Sequence, residues 1–175
     1  MITTALTAAA ANLARQAHAG EVDRTAKPAI EHYFAVAERM ETEEETCAAL
    51  LNSALGTGRI TLAELRNAGF SEPMCEALEV LERKQDEEFF AFIERVAQNP
   101  LASKVKRADL VQRVEDMESY VSLTGMDRRR RTSCLKAIDI LDGVDSLAFD
   151  GLFESQHHQG RLKAPVPAAP QPPLH

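Results

Sequence analysis

Two histidines and one aspartate are the residues best placed to do chemistry. His18 ends an alanine-rich helical run, His32 falls in the next run, and Asp109 lies in a later one between two apolar faces. Imidazole and carboxylate can together move a proton, form an ion pair or share a cation. Leu101, Val105 and Ala108 line one face near Asp109, and Leu110, Val114, Met117 and Val121 line the other. A carboxylate buried there needs a partner. Lys104, Lys106 or Arg113 can pair with it locally, and His32 can do so across the fold. A structural His32–Asp109 pair is the favoured reading. Taken alone, His32 sits off its helix's apolar stripe beside Val36 and Arg39, where a histidine is more often a hydrogen-bonded surface residue.

The other charged groups are less specific. Arg24 and Lys27 form a basic pair just ahead of His32, and their plain reading is a solvated loop. Arg128 to Arg131 reads as an exposed helix face, the alternative being a contact for an acidic partner or nucleic acid. A net charge of −7, from 20 basic and 27 acidic residues, argues against general affinity for nucleic acid or anionic membrane. Cys47, Cys75 and Cys134 are odd in number and contain no CxxC pair, so neither a disulfide framework nor a thiolate metal cluster is expected. A reduced, cytoplasmic protein is the simple expectation. No apolar run approaches the roughly 18 residues of a membrane span, and the start, Thr4 to Ala14, reads as a helix and not a signal peptide. His157, His158 and His175 support no more than adventitious metal binding.

Positioning these groups falls to a series of helices. Periodicity and punctuation place them at about Thr4–His18, from Pro28 through Met40, Thr42–Leu55, after Thr61, Ser71–Leu81, Asp86–Gln98, from Pro100, Asp127–Leu141, and briefly near Leu147–Phe153. Thr61-Leu-Ala-Glu64 is a capping-box pattern. The run from Pro100 is apolar on two sides, which marks a central helix. No alternating strand pattern stands out, so the expectation is all-α. The domain would span residues 1–155, with a disordered Pro/Ala-rich tail over 156–175 that holds five of the eight prolines.

Three stretches carry a family resemblance. The first is Ala14-Arg-Gln-Ala-His18-Ala-Gly20, continued by Pro28-Ala-Ile-Glu-His32. The second is Leu50-Leu51-Asn52-Ser53-Ala54-Leu55-Gly56-Thr57, and the third is Val105-Lys106-Arg107-Ala108-Asp109-Leu110. In order and spacing they resemble the HD superfamily of metal-dependent phosphohydrolases. The branch they are most similar to is the hydrolase domain of RelA/SpoT-type alarmone enzymes, over roughly Ala5 to Leu141. His32 and Asp109 match two of that branch's metal ligands. Asn52 and Ser53 stand where it carries His-Asp, and Gly56 and Thr57 replace its two acids. Gln112-Arg113 replaces an Asp-Asn that often follows, and Arg24 and Lys27 fall in the loop that cradles the nucleotide.

The resemblance implies an HD-type fold with a vestigial metal site at His32, Asn52, Ser53 and Asp109. A bound metal lowers the pKa of its water from ~15.7 towards ~7, and that nucleophile needs a full donor set. With two donors and two acids replaced, no cofactor is expected and no residue is assigned as catalytic. The favoured function is a catalytically silent binding or regulatory module, retaining nucleotide or anion binding through Arg24, Lys27 and His18. One alternative is a weakly active phosphohydrolase of (p)ppGpp or a related nucleotide, using a rearranged Mn or Zn site. The other is a pure protein-interaction module. Partners are then a nucleotide or a protein, with no membrane. Without the family comparison, Asn52 and Ser53 are ordinary polar residues at a helix end.

Overall fold

The computed structural model describes residues 1–118, 120 and 122–143. Eight α-helices follow one another: α1 (Ala5–Ala17), α2 (Ile30–Glu38), α3 (Glu43–Leu50), α4 (Leu62–Asn67), α5 (Glu72–Leu81), α6 (Phe89–Ala97), α7 (Pro100–Glu118) and α8 (Gly125–Leu141). A 3₁₀ turn, Leu55–Thr57, sits between α3 and α4. The all-α expectation holds, and an isolated bridge between Val22 and Pro28 is the one piece of β pairing among the described residues.

Local chemistry explains the helix starts. Thr4, Thr42, Thr61 and Thr124 each accept the backbone N–H three residues on, and the side chain at that position returns a bond to the cap. Such reciprocal caps satisfy amides that the first turn leaves unpaired. Two boundaries differ from expectation. The second helix begins at Ile30 instead of Pro28, because Pro28 is held in the bridge with Val22. The third ends at Leu50 instead of Leu55, since the chain turns through Ser53 at φ +63.

α7 is the central element. It packs against α2, α3, α5, α6 and α8. Val105, Leu110, Val114 and Met117 are buried around its circumference, as are the polar Lys106 and Asp109. α1, α2 and α3 pack through small residues: Ala10, Ala14, Ala17, Ala37, Ala48 and Ala49 are buried, which lets the helix backbones approach closely. Among the described residues no helix is long and apolar enough to cross a membrane. Residues 144–175 lie outside the described residues, and with them the short helix assigned to Leu147–Phe153, His157, His158, His175 and the Pro/Ala-rich tail.

Candidate functional site

Helix α7 carries Asp109 into the core, where it is fully buried. Its Oδ1 lies 2.8 Å from His32 Nε2, on α2. Its Oδ2 accepts from Lys106 Nζ at 3.0 Å, and Arg113 Nε donates to both oxygens at 3.2 Å. Lys106, Asp109 and Arg113 are spaced i−3 and i+4 on one helix, so the three side chains meet without tertiary help. Burial opposes the Asp109 charge, but Lys106, Arg113 and the His32 bond outweigh it and hold the carboxyl well below its usual range. The Asp109 carboxylate in turn raises the pKa of Arg113.

The local and cross-fold pairings that the sequence offered for Asp109 therefore form together. Lys104 is the exception, and bonds Glu41 and Glu45 instead. His32 is not the surface residue that its helix position suggests. Its side chain is 17% exposed, and its second nitrogen, Nδ1, lies 3.0 Å from Asp116 Oδ2. Gln112 bonds Asp116 at 2.8 Å and also receives Arg39. Asp116 was not singled out in the sequence, although its spacing of seven from Asp109 places it on the same helix face two turns on.

The neighbouring turn is built differently. Asn52 is fully buried, so the plain reading of a polar residue at a helix end does not describe it. Neither atom of its amide finds a hydrogen-bond partner. Ser53 takes a left-handed backbone and lies beside the Tyr33 phenol. His18 is buried, with Nδ1 2.9 Å from Glu21 Oε2 and its ring stacked 4.2 Å from that of Tyr33, while Nε2 has no partner. Glu82 leaves the end of α5 and brings its carboxyl to Gly56. A Cβ on Gly56 would stand 2.6 Å from Glu82 Oε2. Glu82 Oε1 has no partner. Burial raises the Glu82 pKa, against the opposing pull of the Gly56 and Leu55 amides and the Lys106 charge. No sequence signal marks Glu82, because its approach depends on how α5 ends.

Beside His32 opens a cleft of about 440 Å³ between the 20–28 loop, α2, α7 and α8. Arg24, Lys27, Arg113 and Arg130 line it together with His32. His18 does not. The loop is shaped by Asp23, whose Oδ1 accepts the N–H groups of Thr25 at 2.7 Å and Lys27 at 2.9 Å. Arg24 pairs with Asp127 of α8 and stacks 4.5 Å from the Tyr120 ring centre. This pair holds the Asp127 carboxyl far below its ordinary range, and the Thr124 hydroxyl and amide add to the effect.

The donor set does not fit a hydrolytic metal ion. Asp109 already has an ammonium and a guanidinium within hydrogen-bond distance. His32 is engaged at both nitrogens. Asn52 offers a neutral amide and Ser53 a hydroxyl, both weaker donors to such an ion than imidazole or carboxylate. Among the described residues no group of three His, Cys, Asp or Glu side chains is arranged to hold a metal.

No family model matches the sequence, and no curated protein matches it. Among solved structures, the fold is similar to that of a metazoan ortholog of SpoT, a protein that hydrolyzes ppGpp and plays a role in starvation responses. The TM-score is 0.67 at 18% identity, over 89% of this chain and 98% of that one. The chain thus has the all-α, HD-domain-like fold that its three landmarks imply.

Proposed function

We propose that this chain is a catalytically silent HD-type module whose cleft binds an anionic, phosphate-bearing ligand such as a nucleotide. It would act by binding or regulation. One observation carries the reading: both oxygens of Asp109 are engaged by Lys106, Arg113 and His32. Internal cations supply there the positive charge that a metal would bring. Arg24, Lys27 and Arg130 supply the anion-binding character of the adjoining cleft. The similarity to a ppGpp hydrolase makes a guanosine polyphosphate a rational first ligand to try.

The test is metal content and hydrolysis together. Protein expressed with manganese and zinc supplied is expected to purify without stoichiometric metal and to leave ppGpp intact. Near-stoichiometric metal and metal-dependent hydrolysis, both lost on Asp109→Ala, would overturn the reading.

A second reading, a weakly active phosphohydrolase, draws support from Glu82, which brings a carboxyl into the space beside Gly56. Restoring Asn52→His and Ser53→Asp, with Arg113→Asn to remove the competing cation, discriminates the two. If activity arises only on restoration, the native chain is the silent form.

A further inference from the structure

The charges lining the cleft fall into two groups. Arg113 and Arg24 are committed to carboxylates, Asp109 and Asp127. Lys27 and Arg130 line the same cleft, and neither is within ion-pair distance of a carboxylate among the described residues, although the Lys27 charge contributes to lowering the Asp23 pKa. Most of the acids are also spoken for. Asp23 accepts its own loop's amides, Asp116 holds His32 and Gln112, and Asp127 holds Arg24 and Thr124. Glu31 is the lining acid with no side-chain bond among the described residues.

Arg24 crosses the cleft to reach α8. Its side chain is 41% exposed, whereas that of Asp127 is 8% exposed. The loop that carries Arg24 does not depend on this pair for its shape, because the Asp23 bonds and the Val22–Pro28 bridge close it from within. Asp127 divides its two oxygens. Oδ1 faces Arg24, while Oδ2 accepts the Thr124 amide at 2.7 Å and hydroxyl at 2.6 Å, closing the cap of α8. The Arg24 side chain can therefore leave while the loop and the cap both stand. A phosphate-bearing anion held by Lys27 and Arg130 offers Arg24 a more highly charged acceptor than Asp127 does.

We infer that the Arg24–Asp127 pair is a latch across the cleft, and that a phosphate-bearing anion seated between Lys27 and Arg130 draws Arg24 from Asp127 to complete its own binding. Asp127 then sets the affinity of the site by competing for Arg24. This rests on the anion-binding reading of the same cleft.

The experiment is calorimetric titration of the full-length protein with inorganic pyrophosphate at fixed low salt. Asp127→Asn keeps an amide oxygen for Thr124 and is expected to bind about fivefold more tightly than wild type, the upper range of one partly exposed ion pair. The gain should vanish when the same change is made in an Arg24→Ala background. Tyr120→Leu, which loosens Arg24 without touching the cap, should tighten binding in the same direction and covers the case of an unfolded Asp127 variant. A gain from Asp127→Asn that persists without Arg24 is a general charge effect and overturns the latch. Binding by wild type with no gain in either variant also overturns the latch and leaves the anion site standing. Absence of binding in wild type and variants alike removes the anion site and the latch with it.

Discussion

Two polar regions of the fold, one around Asp109 and one at the 52–56 turn, treat hydrogen-bonding capacity in opposite ways. Around Asp109, both carboxylate oxygens, both His32 nitrogens, and the Lys106 and Arg113 side chains are joined in one network. Around Asn52, the amide, His18 Nε2 and Glu82 Oε1 are buried without a partner. A saturated network stabilises a fold and resists a new ligand, because any newcomer must displace a bond already made. Unpartnered buried atoms do the reverse, since each costs about 1–3 kcal/mol until water or a ligand satisfies it. The contrast places structural duty on the α7 side and an uncompensated polar cost at the turn.

Breaking the saturated side has the largest expected effect. Asp109→Ala strands the buried Lys106 ammonium and is expected to destabilise by about 3–5 kcal/mol in urea unfolding. A loss below about 1 kcal/mol would mean the network is not holding the core. Next is the close approach at the turn. Gly56→Ala is expected to cost up to about 1 kcal/mol, because the new Cβ meets only the flexible end of the Glu82 side chain, which can move aside. In a Glu82→Ala background most of that cost should disappear, and a double-mutant cycle reads the coupling. Additivity would separate Gly56 from Glu82.

Asn52→Leu sharpens the comparison further. Removing an amide with no protein partner should leave stability unchanged or raise it by about 1 kcal/mol. A loss of stability would show that a water or ligand depends on the amide.

The smallest effect is on pH dependence, and the two carboxyls act with opposite sign. Asp109 is depressed in the fold, so its contribution is present above the usual value near 3.8 and is lost as pH falls. Glu82 is raised, so the fold binds its proton more tightly than the unfolded chain does. Stability from Glu82 is full below about 4.5 and declines as pH rises through the raised value. Glu82→Gln should therefore raise stability at pH 7 more than at pH 4.5, by less than about 1 kcal/mol for this half-buried group. Paired thermal melts at the two values check it, and a larger gain at pH 4.5 would contradict the raised pKa.

Much of the fold was legible because its signals are local. The Thr61–Glu64 capping box, Pro100 opening α7 and the apolar spacing of α7 act within a turn or two of chain. The Lys106–Asp109–Arg113 cluster was legible for the same reason, since residues three and four apart share a helix face. The ends of α2 and α3 were not, because Pro28 joined a bridge and Ser53 took a left-handed backbone, and both depend on the path of the returning chain. Chain order groups His18 with Arg24 and Lys27 as an anion contact, yet it stacks on Tyr33 and does not line the cleft. Ring stacking between α1 and α2 separates residues that their order along the chain had grouped together.

By itself the sequence determined the helical class and the central place of α7. Both follow from residue type and short-range periodicity. Only the tertiary structure decided that His32 bridges Asp109 and Asp116, that Glu82 comes to lie against Gly56, and that Arg24 reaches Asp127 across the cleft. These contacts join residues 26 to 103 positions apart. At such separations helix packing sets which side chains meet, and the spacing along the chain carries no such information.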